Sequence, residues 1–180
     1  MKKTTAWLTG LVWLALTAAP AHADQLVIDM HYVTKDGVGK KIGTVTAKKT
    51  PYGTLFAPKL TGLSPGLHGF HVHENPSCGP GRKNGRTVPG LAAGGHYDPG
   101  GTGSHKGPYA EGHLGDLPAL YVDTSGKAEH PVLAPRLKLS DLKGRSLMIH
   151  AYGDNYSDQP KKLGGGGYRL ANLASAWSEG

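Results

Sequence analysis

This sequence predicts an all-β fold, a sandwich or barrel of about eight short antiparallel strands. Three observations carry that expectation. Apolar residues recur with a period near two, turn residues punctuate the chain at short intervals, and no stretch after the first two dozen residues has a convincing amphipathic helical pattern.

The chain opens with Lys2 and Lys3, then an apolar run at residues 8–19, Pro20, and Ala21-His22-Ala23. That order is the pattern of a secretory signal peptide covering residues 1–23. The run falls short of the roughly 20 apolar residues that a spanning helix needs, and no later stretch approaches that length. The expectation is an exported chain whose mature part, residues 24–180, is one domain without an integral membrane segment. A domain of that size buries roughly 70% of its unfolded surface.

Residues 25–33 alternate Leu26, Ile28, Met30 and Tyr32 with Val27, Asp29, His31 and Val33, and read as the first strand. Residues 42–48, 54–59 and 67–74 follow, separated by turns such as Lys35-Asp36-Gly37 and Ser64-Pro65-Gly66. Residues 119–122, 128–133, 146–150 and 168–173 complete the set. Between residues 75 and 118 the pattern stops. A loop this long in a compact domain needs something other than a core to order it, and it carries His96, His105, His113 and Asp116. A second irregular stretch, residues 151–167, holds Asp154, Asp158 and four consecutive glycines from Gly164. Without a following Gly-Lys-Ser/Thr and a helix, those glycines are no phosphate loop.

The full chain carries +7, and residues 1–23 contribute two lysines and no acid, so the mature part carries +5. The cations are scattered, with small clusters at Lys48-Lys49, Arg82-Lys83 and Lys161-Lys162. They are not interleaved with aromatics, so nucleic acid is not an expected partner. A mildly positive field does suit a small anion.

The organising stretch is Gly66-Leu67-His68-Gly69-Phe70-His71-Val72-His73-Glu74. On a strand His71 and His73 share one face while Val72 takes the other, so two imidazoles stand side by side as nitrogen donors for a metal such as zinc, copper, iron or nickel. His31 and His130 have no converging neighbours and read as isolated side chains. His68 reads as a hydrogen-bonded structural imidazole.

Six segments together resemble the copper-zinc superoxide dismutases of the bacterial periplasmic type. They are Gly69-Phe70-His71-Val72-His73-Glu74, Gly94-Gly95-His96-Tyr97-Asp98-Pro99, Thr102-Gly103-Ser104-His105, Gly112-His113-Leu114-Gly115-Asp116-Leu117-Pro118, Leu147-Met148-Ile149-His150, and the glycine run ending at Tyr168-Arg169. The resemblance implies an eight-stranded Greek-key β-barrel or sandwich with a long metal-binding loop and an electrostatic loop. It implies copper on His71, His73, His96 and His150, zinc on His96, His105, His113 and Asp116, and His96 shared between them as an imidazolate. The implied reaction converts two superoxide anions and two protons to dioxygen and hydrogen peroxide in the periplasm. His96 would deliver a proton and Arg169 would hold the anion. Asp154 would link a copper histidine to a zinc histidine, with Asp158 as a competitor for that role, and Lys161 and Lys162 would steer substrate.

Those residue types suit the chemistry. Imidazole serves both oxidation states of copper, and three histidines with one carboxylate close a tetrahedral zinc shell. Members of the family occur as monomers and dimers, so a homodimer stays open. The alternative reading is a non-catalytic copper- and zinc-binding or metal-buffering protein on the same fold.

One departure stands out. In the family the cysteine at position 78 is bridged to the position held here by Asn172, and Cys78 is the chain's only cysteine. A native bridge contributes about 2–5 kcal/mol in a small secreted domain, so the expectation is a Cys78 thiol and a loop more dependent on zinc for order. Tyr152, Tyr156 and Gln159 also stand where smaller residues or histidines are expected.

Overall fold

The computed structural model describes residues 24–160 and 172–177. Strands β1 (Gln25–Thr34), β2 (Gly37–Thr50) and β3 (Gly53–Thr61) form a meander. Alternation sets their faces: Ile28 and Met30 are buried, whereas Val27 is 57% exposed and Asp29 between them also faces out.

The expected strand at residues 67–74 is two strands, β4 (Gly66–His68) and β5 (Phe70–His73). Gly69 separates them because its backbone leaves the ladder, donating N–H to the Tyr152 carbonyl at 2.8 Å and accepting from the His150 N–H at 2.8 Å. The expected strand at 128–133 is likewise divided, into β9 (Lys127–Ala128) and β10 (Val132–Ala134), with Pro131 between them lacking an N–H to donate. Within the expected structureless loop, β6 (Gly81–Lys83) and β7 (Arg86–Val88) form a hairpin. Its two-residue turn is Asn84-Gly85, both at positive φ, the pairing that suits a tight hairpin. A single 3-10 turn follows at Leu91–Ala93.

Strands β8 (Leu120–Val122), β11 (Ser146–His150) and β12 (Asn172–Trp177) complete the set. The main sheet runs β10-β3-β2-β1-β12-β11-β5, with β9 also on β3, and β4 pairs with β8. Although β3 and β5 stand far apart in that order, the Phe56 and Phe70 rings meet edge to face with centroids 5.4 Å apart. The sheet therefore curls over on itself, the β-barrel or sandwich that the alternation implied. Met30, Val45, Leu60, Val72, Leu117, Leu120 and Ile149 join the two rings in one core. Burying each large side chain contributes roughly 1.5–3 kcal/mol, and that core is the floor under the histidines.

Candidate metal centre

Adjacent strands β5 and β11 supply the first three imidazoles. They pair antiparallel with Met148 opposite His71 and Ser146 opposite His73, so His150 lies one pleat further along the same face. Phe70, Val72, Leu147 and Ile149 on the other face enter the core. The loop then returns twice to the free edge of β5. One bridge pairs His73 with His96, and the other pairs His71 with Asp116. Four backbone bonds close this edge: Glu74 N–H to Gly95, Tyr97 N–H to Val72, Val72 N–H to Gly115, and Leu117 N–H to Phe70. Gly115 has to be glycine here, because a Cβ would lie 2.2 Å from the Val72 carbonyl oxygen.

Two overlapping groups result. The His71, His73, His96 and His150 ligand atoms lie within 4.8 Å of one another, as do those of His71, His96, His105 and Asp116. His113 stands beside the second group, its Nδ1 3.5 Å from Asp116 Oδ1, while His96 Nδ1 and His105 Nδ1 each lie 2.9 Å from that same oxygen. His71 reaches both groups but has only Nδ1 to offer, because its Nε2 donates to Asp154 Oδ2 at 2.7 Å. His96 belongs to both groups as well, and its Nδ1 faces Asp116.

The donor chemistry fits copper and zinc. His71 Nδ1, His73 Nε2, His105 Nδ1, His113 Nδ1 and both nitrogens of His150 are buried without a hydrogen-bond partner. Buried polar atoms are nearly always paired, and six unpaired nitrogens among clustered imidazoles call for a cation.

A sequence profile described as copper/zinc superoxide dismutase (SODC) matches residues 41–172. The chain belongs to the copper/zinc superoxide dismutase family. A relative named Superoxide dismutase [Cu-Zn] 1 from Salmonella typhimurium is 58% identical over 165 residues, covering 90% of this chain and 93% of its own. The solved Cu/Zn superoxide dismutase from Brucella abortus superposes with a TM-score of 0.81 at 51% identity, covering 86% of this chain and 99% of that one. The solution structure of the monomeric copper, zinc superoxide dismutase from Salmonella enterica gives 0.75 at 51% identity, covering 85% and 98%.

The candidate ligand rings are held by what their other nitrogens touch. His73 Nδ1–H donates to the Gly94 carbonyl at 2.9 Å, leaving Nε2 to face the site. Asp154, with its side chain 1% exposed, accepts from His71 Nε2–H and His105 Nε2–H at 2.7 Å each and so ties the two rings together. Asp158 does not compete for it. Its carboxylate accepts the His105 backbone N–H at 3.0 Å and so braces the loop. His68 is structural, its ring nitrogens each 2.7 Å from the carbonyls of His150 and Ser64.

Electrostatics divide the histidines. Burial, with repulsion from neighbouring imidazoles, holds His71 and His150 well below the ordinary histidine range and brings His73 down to about 3. His96 is lowered as well, chiefly by burial and against the pull of Asp116. These rings stay neutral, the form that donates a lone pair. For His105 burial opposes the charge, but the Asp116 and Asp154 carboxylates beside the ring together outweigh it and raise it to about 9. Burial would raise Asp116, yet contacts with His105 and His96 take it well below the usual carboxylate range.

Tyr156 stands where a smaller residue or a histidine was expected, and it acts as a bolt. Its hydroxyl oxygen accepts the Ala119 N–H at 2.7 Å, tying residues 151–160 to the end of the metal loop. Two further contacts escaped the sequence reading. The Arg145 guanidinium lies 3.6 Å over the Tyr97 ring, beside His96, and Arg136 bonds three carbonyls of the loop. Neither arginine lies in a ligand motif, so nothing in the spacing could have singled them out. Cys78 is buried, at 6% exposure. Position 172 falls in β12, where Asn172 pairs with His150. Arg169, Lys161, Lys162, the Gly164–Gly167 run and the leader at 1–23 lie outside the described residues.

Proposed function

We propose that the chain is an exported, periplasmic superoxide dismutase, with copper held by His71, His73, His96 and His150 and zinc by His96, His105, His113 and Asp116. The observation that carries this reading is the set of buried ring nitrogens without partners, belonging to or beside two groups that share His71 and His96. Export is supported by the Lys2-Lys3, apolar-run and Ala21-His22-Ala23 order of the leader. No helix among the described residues is long and apolar enough to cross a membrane.

Copper supplies a one-electron redox couple when bound, and zinc a cation without redox chemistry that orders its ligands. The protein's residues do the rest. His96 directs Nδ1 to Asp116, which leaves Nε2 for the copper side, and Nε2 is the atom at which a proton is held and passed to the reduced product. Asp154 fixes the His71 and His105 rings against rotation, so their free Nδ1 atoms keep their aim. Arg169 supplies a permanently charged donor for the superoxide anion.

The test is superoxide consumption by copper- and zinc-loaded protein, with His150→Ala beside it. We expect activity in the parent and its loss in the variant. An inactive, fully loaded parent would favour the metal-buffering alternative, and full activity in His150→Ala would overturn the copper assignment.

A further inference from the structure

We infer that Arg136, which is not a ligand, is the positioning residue of the zinc-side turn: it holds residues 107–112 so that His105 and His113 stay gathered around Asp116. This rests on the assignment of those three residues to zinc.

The turn joining the two histidines is Gly107-Pro108-Tyr109-Ala110-Glu111-Gly112. Its ends are tied: His105 N–H bonds Asp158, Lys106 N–H bonds Asp116 Oδ2, and His113 N–H bonds the Ser104 carbonyl. The stretch between has little to hold itself. Two of its six residues are glycines, Gly107 sits at φ 72, and Tyr109 at the apex is 75% exposed. Among the described residues, the hydrogen bonds that reach 107–112 from elsewhere in the chain all come from Arg136. Its Nη2–H donates to the Gly112 carbonyl at 2.8 Å, and Nη1–H donates to the carbonyls of Ala110 and, at 3.5 Å, Gly107.

The anchor behind that guanidinium is rigid. Arg136 follows directly on β10 and Pro135, and the next residue, Leu137, is 1% exposed. Buried Thr54 on β3 donates its hydroxyl to the Leu137 carbonyl at 2.8 Å. A planar fork on a fixed stem can hold several carbonyls at set positions at once, which a lysine ammonium on its flexible chain cannot reproduce. Where the family's bridge from position 78 is absent, such a clamp supplies order to the loop from the segment that follows β10.

The experiment measures zinc transfer from the copper- and zinc-loaded protein to a chromophoric chelator, and the visible absorption of protein carrying Co(II) in place of zinc. Arg136→Met keeps the bulk and removes the donors. It should release zinc at least about tenfold faster and shift the cobalt bands, with Arg136→Lys between it and the parent. Arg82→Met, which alters the exposed β6–β7 hairpin, should match the parent. Zinc release within twofold of the parent together with parent-like cobalt absorption in Arg136→Met would overturn the role, even if the variant melts earlier. Should Arg136→Met fail to fold, parent-like behaviour of Arg136→Lys in both measurements overturns it equally. Zinc uptake unaffected by His113→Ala would sink the zinc assignment and this role with it. Uptake that depends on His113 while Arg136 proves indifferent would sink the role of Arg136 alone.

Discussion

Asp154→Ala tests the centre most directly, because one carboxylate there satisfies three donors. It accepts His71 Nε2–H and His105 Nε2–H at 2.7 Å and the Tyr156 N–H at 2.8 Å. Both rings are buried, so removing the carboxylate leaves two imidazole N–H groups without an acceptor. Each orphaned buried donor costs about 1–3 kcal/mol, which brackets the loss at about 2–6 kcal/mol, with the low end favoured if water fills the vacated space. Urea unfolding of metal-free parent and variant at neutral pH measures that difference. Asp154→Asn should fall between them, since the amide oxygen can accept from one ring while its NH2 group faces the other. Metal affinity, measured by competition with a chelator, should drop about 10–100-fold in Asp154→Ala because His71 and His105 lose the contact that orients them. A metal-free variant as stable as the parent and with unchanged affinity would refute the claim that this carboxylate couples the two halves of the site.

Gly115→Ala should cost about 2–3 kcal/mol or more, read as a lower unfolding midpoint, because its Cβ would meet the Val72 carbonyl at 2.2 Å and push the loop off β5. Stability of the metal-free protein should peak near pH 6.5 with unequal flanks. Below that pH, His71, His73, His96 and His150 take up protons in the unfolded chain but not in the folded one, so stability falls as pH drops, at about 1.4 kcal/mol per pH unit for each group that titrates. Above it His105 acts alone and in the opposite sense. Its raised folded pKa gives stability that is complete below about 6.5 and lost as pH rises through about 9, so the alkaline flank is the shallower. Denaturant titrations at stepped pH check the asymmetry, and stability that climbs steadily to pH 9 would contradict it. Thiol titration should find one thiol per chain after denaturation and a much slower reaction in the native state, where Cys78 is 6% exposed. Finding none in the denatured, unreduced protein would mean a disulfide between chains.

The strand faces could be read from the sequence because alternation and burial follow the same rule, as Ile28, Met30, His71 and His73 demonstrate. The ligand set was readable only through the resemblance, since spacing alone does not reveal that residues 96 and 116 return to pair with residues 73 and 71. Strand ends were harder. Gly69 and Pro131 break ladders for reasons of backbone bonding that periodicity does not register. The Asn84-Gly85 turn was a local signal available in the sequence, yet it was absorbed into the long loop because Arg82, Lys83, Arg86 and Thr87 offer no apolar alternation around it. Arg136, Arg145 and Tyr156 were invisible for a different reason. Each works on a partner at least 24 residues away, and a lone arginine or tyrosine on a surface-facing stretch has no local pattern.

The β6–β7 hairpin has a use beyond this centre. Its base is zipped before the chain reaches His96, by Asn75 N–H on the Ala93 carbonyl and Ala92 N–H on the Gly79 carbonyl. Everything beyond that zipper, out to the exposed Asn84-Gly85 tip, is an excursion whose two ends stay put whatever its length. Doubling such an excursion costs only about 0.6 kcal/mol in closure entropy. The tip is therefore a graft point, where a foreign peptide or a small domain can be carried without disturbing the histidine cluster.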